Sequence, residues 1–123
     1  MGLFNFSKSS EKINWKRLES EEQLDELVGR SNEKPIALFK HSTRCGVSSF
    51  VKNGLESKWD IEENDLEMWY LDLLRYRNIS NKIASDLGIY HESPQLILLK
   101  NGKVVYHDSH NSISVDQIKQ ALA

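Results

Sequence analysis

Cysteine is almost absent from this sequence: the 123 residues contain one, Cys45. A single cysteine closes no intramolecular disulfide, which excludes the oxidised framework that staples small secreted domains. Long apolar runs are missing too, and none approaches the roughly 18 residues of a membrane-spanning helix. Neither sign of charge dominates. Sixteen Lys and Arg stand against 18 Asp and Glu, for a formal net charge of −2, and nucleic acid demands a clear cationic face. There is no Gly-rich phosphate loop, no H-E-x-x-H and no Cys/His pairing, so neither nucleotide nor zinc is expected as a ligand. The opening "MGLFNFSKSSEK" lacks the apolar core of about 7–15 residues of a signal peptide. Phe6 also stands where a myristoylation pattern needs Ser or Thr. The expectation is a cytoplasmic single domain with no bound cofactor, no metal, no nucleic-acid partner and no membrane partner.

What is present is a regular alternation of patterns. Residues 1–13 are polar without sustained periodicity and read as a flexible N-terminal tail, leaving 14–123 as the domain. "LESEEQLDELVGRS" predicts a helix, with Ser20 as N-cap, Gln23 in the capping-box position, and Leu24, Leu27 and Val28 facing inward. "PIALFK" is a short continuous apolar run, as expected of a strand buried on both faces. Val47, Phe50, Val51, Gly54 and Leu55 recur at helical spacing and predict a helix whose buried stripe they form. "LEMWYLDLL" is a second apolar strand. "NISNKIASDLGI" is a short helix with Ile79, Ile83, Ala84 and Leu87 inward and Gly88 as its stop.

"SPQLILLKNGKVVYHD" predicts a hairpin turning at Asn101–Gly102, a preferred type I′ pair. "SVDQIKQAL" closes the chain as an amphipathic helix capped by Ser114. A short strand near "INWKRL" is a further candidate. Strands separated by helices imply parallel crossovers, and the hairpin adds an antiparallel edge. The fold class is therefore α/β: a mixed central sheet with helices on both faces.

Cys45 falls where the first buried strand gives way to a helix. The first turn of a helix offers unpaired backbone N–H groups and the positive end of the macrodipole, both of which favour thiolate over thiol. Arg44 adds a cation, the hydroxyls of Thr43, Ser48 and Ser49 are potential donors to the sulfur, and His41 lies four residues before it. Cysteines in such electropositive settings ionise readily, and the thiolate is the species that attacks disulfides. The alternative is a small residue filling core space.

The strand, the "STRCG" junction and the helix together resemble the thioredoxin superfamily, which carries its nucleophilic cysteine there, commonly as Cys-x-x-Cys. Here the second position is Ser48, a monothiol version. The superfamily also has a cis-proline preceded by a small polar residue just before its penultimate strand, and Ser93–Pro94 matches. The resemblance implies a thioredoxin-like fold, Cys45 as catalytic nucleophile, and Ser93 and Pro94 as substrate-binding residues. Within the superfamily, "LFKHSTRCGVS" with "SPQLILLKNGKVVYHDSH" is most similar to the YtxJ-type monothiol bacilliredoxins. That resemblance implies a thiol-disulfide oxidoreductase that removes bacillithiol from S-bacillithiolated proteins, with free bacillithiol as co-substrate. Its carboxylate would be attracted by Arg44 or Lys40.

Two alternatives follow from the same residues. Cys-Gly-Val-Ser is close to the Cys-Gly-Phe-Ser of monothiol glutaredoxins that carry iron–sulfur clusters. Those proteins hold glutathione through Gly-Gly and Cys-Asp-Asp segments, and "HDSHNSIS" here has neither. The other alternative is a non-catalytic thioredoxin-like binding module.

Overall fold

The structure, a computed structural model, describes residues 13–123. In chain order the elements are β1 (Lys16–Arg17), α1 (Glu21–Arg30), β2 (Ile36–His41), α2 (Gly46–Lys58), β3 (Glu67–Asp72), α3 (Arg77–Leu87), β4 (Gln95–Lys100), β5 (Lys103–Ser109), a 3-10 turn (His110–Ser112) and α4 (Val115–Leu122). The expected tail lies outside the described residues except for Ile13, which is buried.

Local chemistry sets the boundaries. Ser20 Oγ accepts from Gln23 N at 3.1 Å, while Gln23 Oε1 accepts from Glu19 N at 2.7 Å, so donors at the head of α1 are satisfied. Ser114 Oγ accepts from Gln117 N and starts α4 in the same way. Gly88 ends α3 in the left-handed conformation. At the hairpin, Asn101 and Gly102 both have positive φ, 55° and 75°, as a type I′ turn requires.

The sheet order is β1-β3-β2-β4-β5. β1 and β2 run parallel to β3, whereas β4 is antiparallel to β2, and β5 to β4. The expectation that every helix joins parallel strands is therefore corrected at α3. β4 starts at the end of the sheet where β3 finishes, because α3 and residues 88–94 return the chain to that end.

All six residues of β2 are buried. Ala37 and Phe39 pack with Val51, Leu55 and Ile118 of α2 and α4, while Ile36 and Leu38 pack with Leu24, Leu27, Ile79 and Ile83 of α1 and α3. Burial on both faces fixes the register, since a slip of one residue would exchange the two sets. The last two residues of β2, Lys40 and His41, are thereby committed to opposite faces.

The expected buried stripe of α2 needs correction. Val47 and Phe50 are 47% and 73% exposed, and Gly54 is exposed as well; the buried line is Ser48, Val51 and Leu55. The helix is rotated by about one residue from the apolar reading because a serine takes an inward position. Ser48 Oγ lies 2.6 Å from His41 Nδ1 and accepts from Ser42 N at 3.2 Å. Two hydrogen bonds make its burial tolerable.

Candidate active site

Cys45 is the N-cap residue of α2, with extended backbone angles and a partly buried side chain. Its N–H donates to Ser42 O at 3.1 Å, and its carbonyl accepts from Ser49 N at 3.2 Å. The loop is thus closed on itself, and the sulfur sits at the head of the helix, where N–H groups of the first turn lack intrahelical partners. The side chain makes no capping hydrogen bond. Thr43 and Arg44 are exposed beside it.

Ser48 is turned away from the thiol toward His41. Its hydroxyl accepts from Ser42 N at 3.2 Å and shares a hydrogen bond with His41 Nδ1 at 2.6 Å. His41 is buried between the rings of Phe39 and Tyr70, with centroids 5.9 and 5.3 Å away. Burial, aided by the Lys52 charge, holds its pKa below the ordinary histidine value, although Asp72 and Glu56 oppose the shift. Asp72 is the cross-strand partner of His41.

The Ser93–Pro94 bond is cis. Gln95 pairs with Lys40, so Pro94 lies level with the end of β2, at the same edge of the sheet as the Cys45 loop. Pro94 O accepts from His110 N at 3.0 Å. Ser93 Oγ is buried and has no hydrogen-bond partner among the described residues.

One side chain that sequence reasoning placed near the thiol is engaged elsewhere. Lys40, expected to attract a carboxylate, is 0% exposed. It donates to Gln95 Oε1 at 2.9 Å and to His91 Nδ1 at 2.7 Å. Burial lowers its pKa to about 8, with Glu92 acting in the opposite sense. Gln95 in turn donates to Tyr90 O at 2.9 Å, so this network braces the 90–95 segment. The sequence signal for it was present in Lys40 itself, a lysine inside an otherwise continuous apolar strand.

A parallel–antiparallel sheet covered on both faces, with a half-exposed cysteine heading a helix level with a cis-proline, defines the class: a thioredoxin-fold thiol-disulfide oxidoreductase. A thioredoxin-fold protein described as an oxidoreductase superposes with a TM-score of 0.73 at 28% identity, covering 89% of this chain and 94% of its own. Thioredoxin from Malassezia sympodialis gives 0.64 at 18% identity over 86% and 85% of the two chains. Thioredoxin f from spinach chloroplast gives 0.61 at 19% over 88% and 89%; at such identities both speak to the fold. The family model for the monothiol bacilliredoxin BrxC matches residues 16–118, and the chain belongs to that family.

Proposed function

We propose that the protein removes bacillithiol from S-bacillithiolated proteins, with Cys45 as nucleophile. The observation that carries this reading is the family match around a lone, partly accessible thiol at a helix N-terminus. The Cys45 thiolate attacks the bacillithiol sulfur of the mixed disulfide. The substrate's cysteine thiolate leaves and takes a proton, and bacillithiol stays bound to Cys45 through a new disulfide. A dithiol relative would expel it with a second cysteine. Ser48 cannot form a sulfur–sulfur bond, and its hydroxyl is committed to His41. A second bacillithiol thiolate therefore attacks the bacillithiol sulfur of the mixed disulfide, releasing the Cys45 thiolate and the symmetrical small-molecule disulfide.

Arg44 and Thr43 stand exposed beside Cys45 at the helix head, and Ser48 is hydrogen-bonded to His41 behind the loop. The Ser93 backbone, preceding Pro94 and level with the end of β2, offers main-chain pairing to an extended substrate segment. Such exchange belongs in a reducing compartment, in keeping with a cytoplasmic location.

The test is to present a bacillithiolated peptide and follow both products by mass spectrometry. Bacillithiol should accumulate on Cys45 and leave only when free thiol is added, and Cys45→Ser should be inactive. Undiminished activity in Cys45→Ser, or spontaneous release without a second thiol, would end the monothiol mechanism. Faster turnover with glutathione would overturn the choice of thiol.

A further inference from the structure

Beside the Cys45 loop lies a groove of about 670 Å³ between β1, the end of β3 and the first turns of α2. That volume falls in the range of roughly 300–1,000 Å³ typical of small-molecule sites. Thr43 and Ser49, on either side of Cys45 in the chain, belong to its lining.

The groove walls carry a specific set of groups. Lys52 lines the groove but is engaged by Glu56 at 2.9 Å and lies over the Trp15 and Tyr70 rings, at 5.4 and 5.9 Å. The guanidiniums of Arg17, on β1, and Arg75, after β3, are exposed, and neither has an ion-pair partner among the described residues. Arg75 lies over the Tyr76 ring at 5.5 Å. Of the two acids in the lining, Glu19 accepts from Tyr76 OH at 3.3 Å. The other, Asp72, keeps a buried Oδ1 with no partner among the described residues.

We propose that this groove is the subsite for the small-thiol half of the mixed disulfide, a carboxylate-bearing polyol thiol whose sulfur lies at Cys45. This rests on the proposed function and assigns its ligand a place. Arg17, on β1, and Arg75, after β3, take the carboxylates; Arg is suited to this by its planar, forked donors. Trp15, Tyr70 and Tyr76 supply an aromatic wall beside a sugar ring. Asp72, which lines the groove, supplies a carboxylate for a hydroxyl or ammonium group. Bacillithiol, with its malate carboxylates, glucosamine ring and amine, presents all of these. A bare inorganic anion would use the arginines and leave the aromatic wall and Asp72 idle.

The test separates binding from turnover. S-methyl bacillithiol, which cannot form a disulfide, is titrated into the full chain carrying Cys45→Ser, and the Trp15 indole N–H signal is followed by NMR. The expected result is a saturable shift. Arg17→Gln and Arg75→Gln should each weaken binding by about tenfold, the effect of losing one charge-assisted hydrogen-bonding partner. Lys103→Gln, on the far edge strand, should leave it unchanged. Both arginines are exposed, so the variants are expected to fold, and their unfolding midpoints confirm it. No Trp15 response, or equal affinity in the parent and both arginine variants, overturns the assignment. If the probe binds here while bacillithiolated peptides are left intact, the function reading falls and the subsite stands. Turnover of those peptides without a Trp15 response has the reverse meaning.

Discussion

Lys40 and His41 are consecutive residues at the end of β2, both buried, and they serve opposite faces of the sheet. On the Lys40 side, a cation sits among neutral partners, Gln95 and His91, and ties the end of the strand to the segment leading into Pro94. On the His41 side, a neutral imidazole is held by Ser48 and lines an open groove that carries cations, acids and aromatic rings. One side is a closed brace and the other is an accessible surface beside the thiol. The difference shows how an alternating strand can brace the chain around the Cys45 loop from one face and open onto a groove from the other.

The largest expected effect tests the brace. Lys40 has a folded pKa of about 8 against an ordinary value of 10.5. Below pH 8 both folded and unfolded chains hold the proton, and the burial penalty is present in full. Between pH 8 and 10.5 the unfolded chain binds more proton, so stability rises with pH by up to about 3 kcal/mol. Urea unfolding at pH 7.5 and 10 should show that rise in the parent protein and lose it in Lys40→Met. An identical pH slope in the two proteins would mean that Lys40 is not held as a desolvated cation.

A smaller effect is expected on the groove side. Ser48→Ala leaves both Ser42 N and His41 Nδ1 without their hydroxyl partner, which should cost about 1–3 kcal/mol in chemical unfolding. The pH response there follows from the lowered pKa of His41, a shift shared by His91, which burial and the Lys40 charge depress. As pH falls through the ordinary histidine value, the unfolded chain takes up protons first, so stability is lost toward acid. His41→Phe should flatten part of that acid slope. An unchanged slope would show that His41 titrates alike in both states.

Much of this architecture was legible in the sequence because it rests on local chemistry. Ser20 with Gln23, Ser114 with Gln117, Gly88 and Asn101–Gly102 each act within a few residues, and each is found in its expected role. The Cys45 junction and Ser93–Pro94 were recognisable for the same reason, as short motifs in a fixed order. The two side-chain networks were not legible, because their partners are far apart in the chain. Lys40 meets His91 and Gln95 across more than 50 residues. The groove gathers Arg17 from β1, Lys52 from α2 and Arg75 from the turn after β3. The direction of β4 was also hidden, since nothing in the α3 pattern records the end of the sheet to which the chain returns.

The smallest expected effect concerns α2, where apolar periodicity placed Val51 and Leu55 correctly but put Val47 and Phe50 on the buried side as well. Val51 is buried against the sheet, whereas its neighbour Phe50 is 73% exposed. Val51→Ala removes two methyl groups from a packed cluster and should cost about 2 kcal/mol. Phe50→Ser deletes a larger side chain, yet little of it has left water, and serine and phenylalanine have similar helix propensities. Its unfolding midpoint should therefore stay within about 0.5 kcal/mol of the parent, as for other surface substitutions. The pair inverts the order that side-chain size predicts, so measuring both in urea decides the orientation of the helix. A loss in Phe50→Ser equal to that in Val51→Ala would place Phe50 inside, rotate α2 by about one residue and pull Ser48 away from His41.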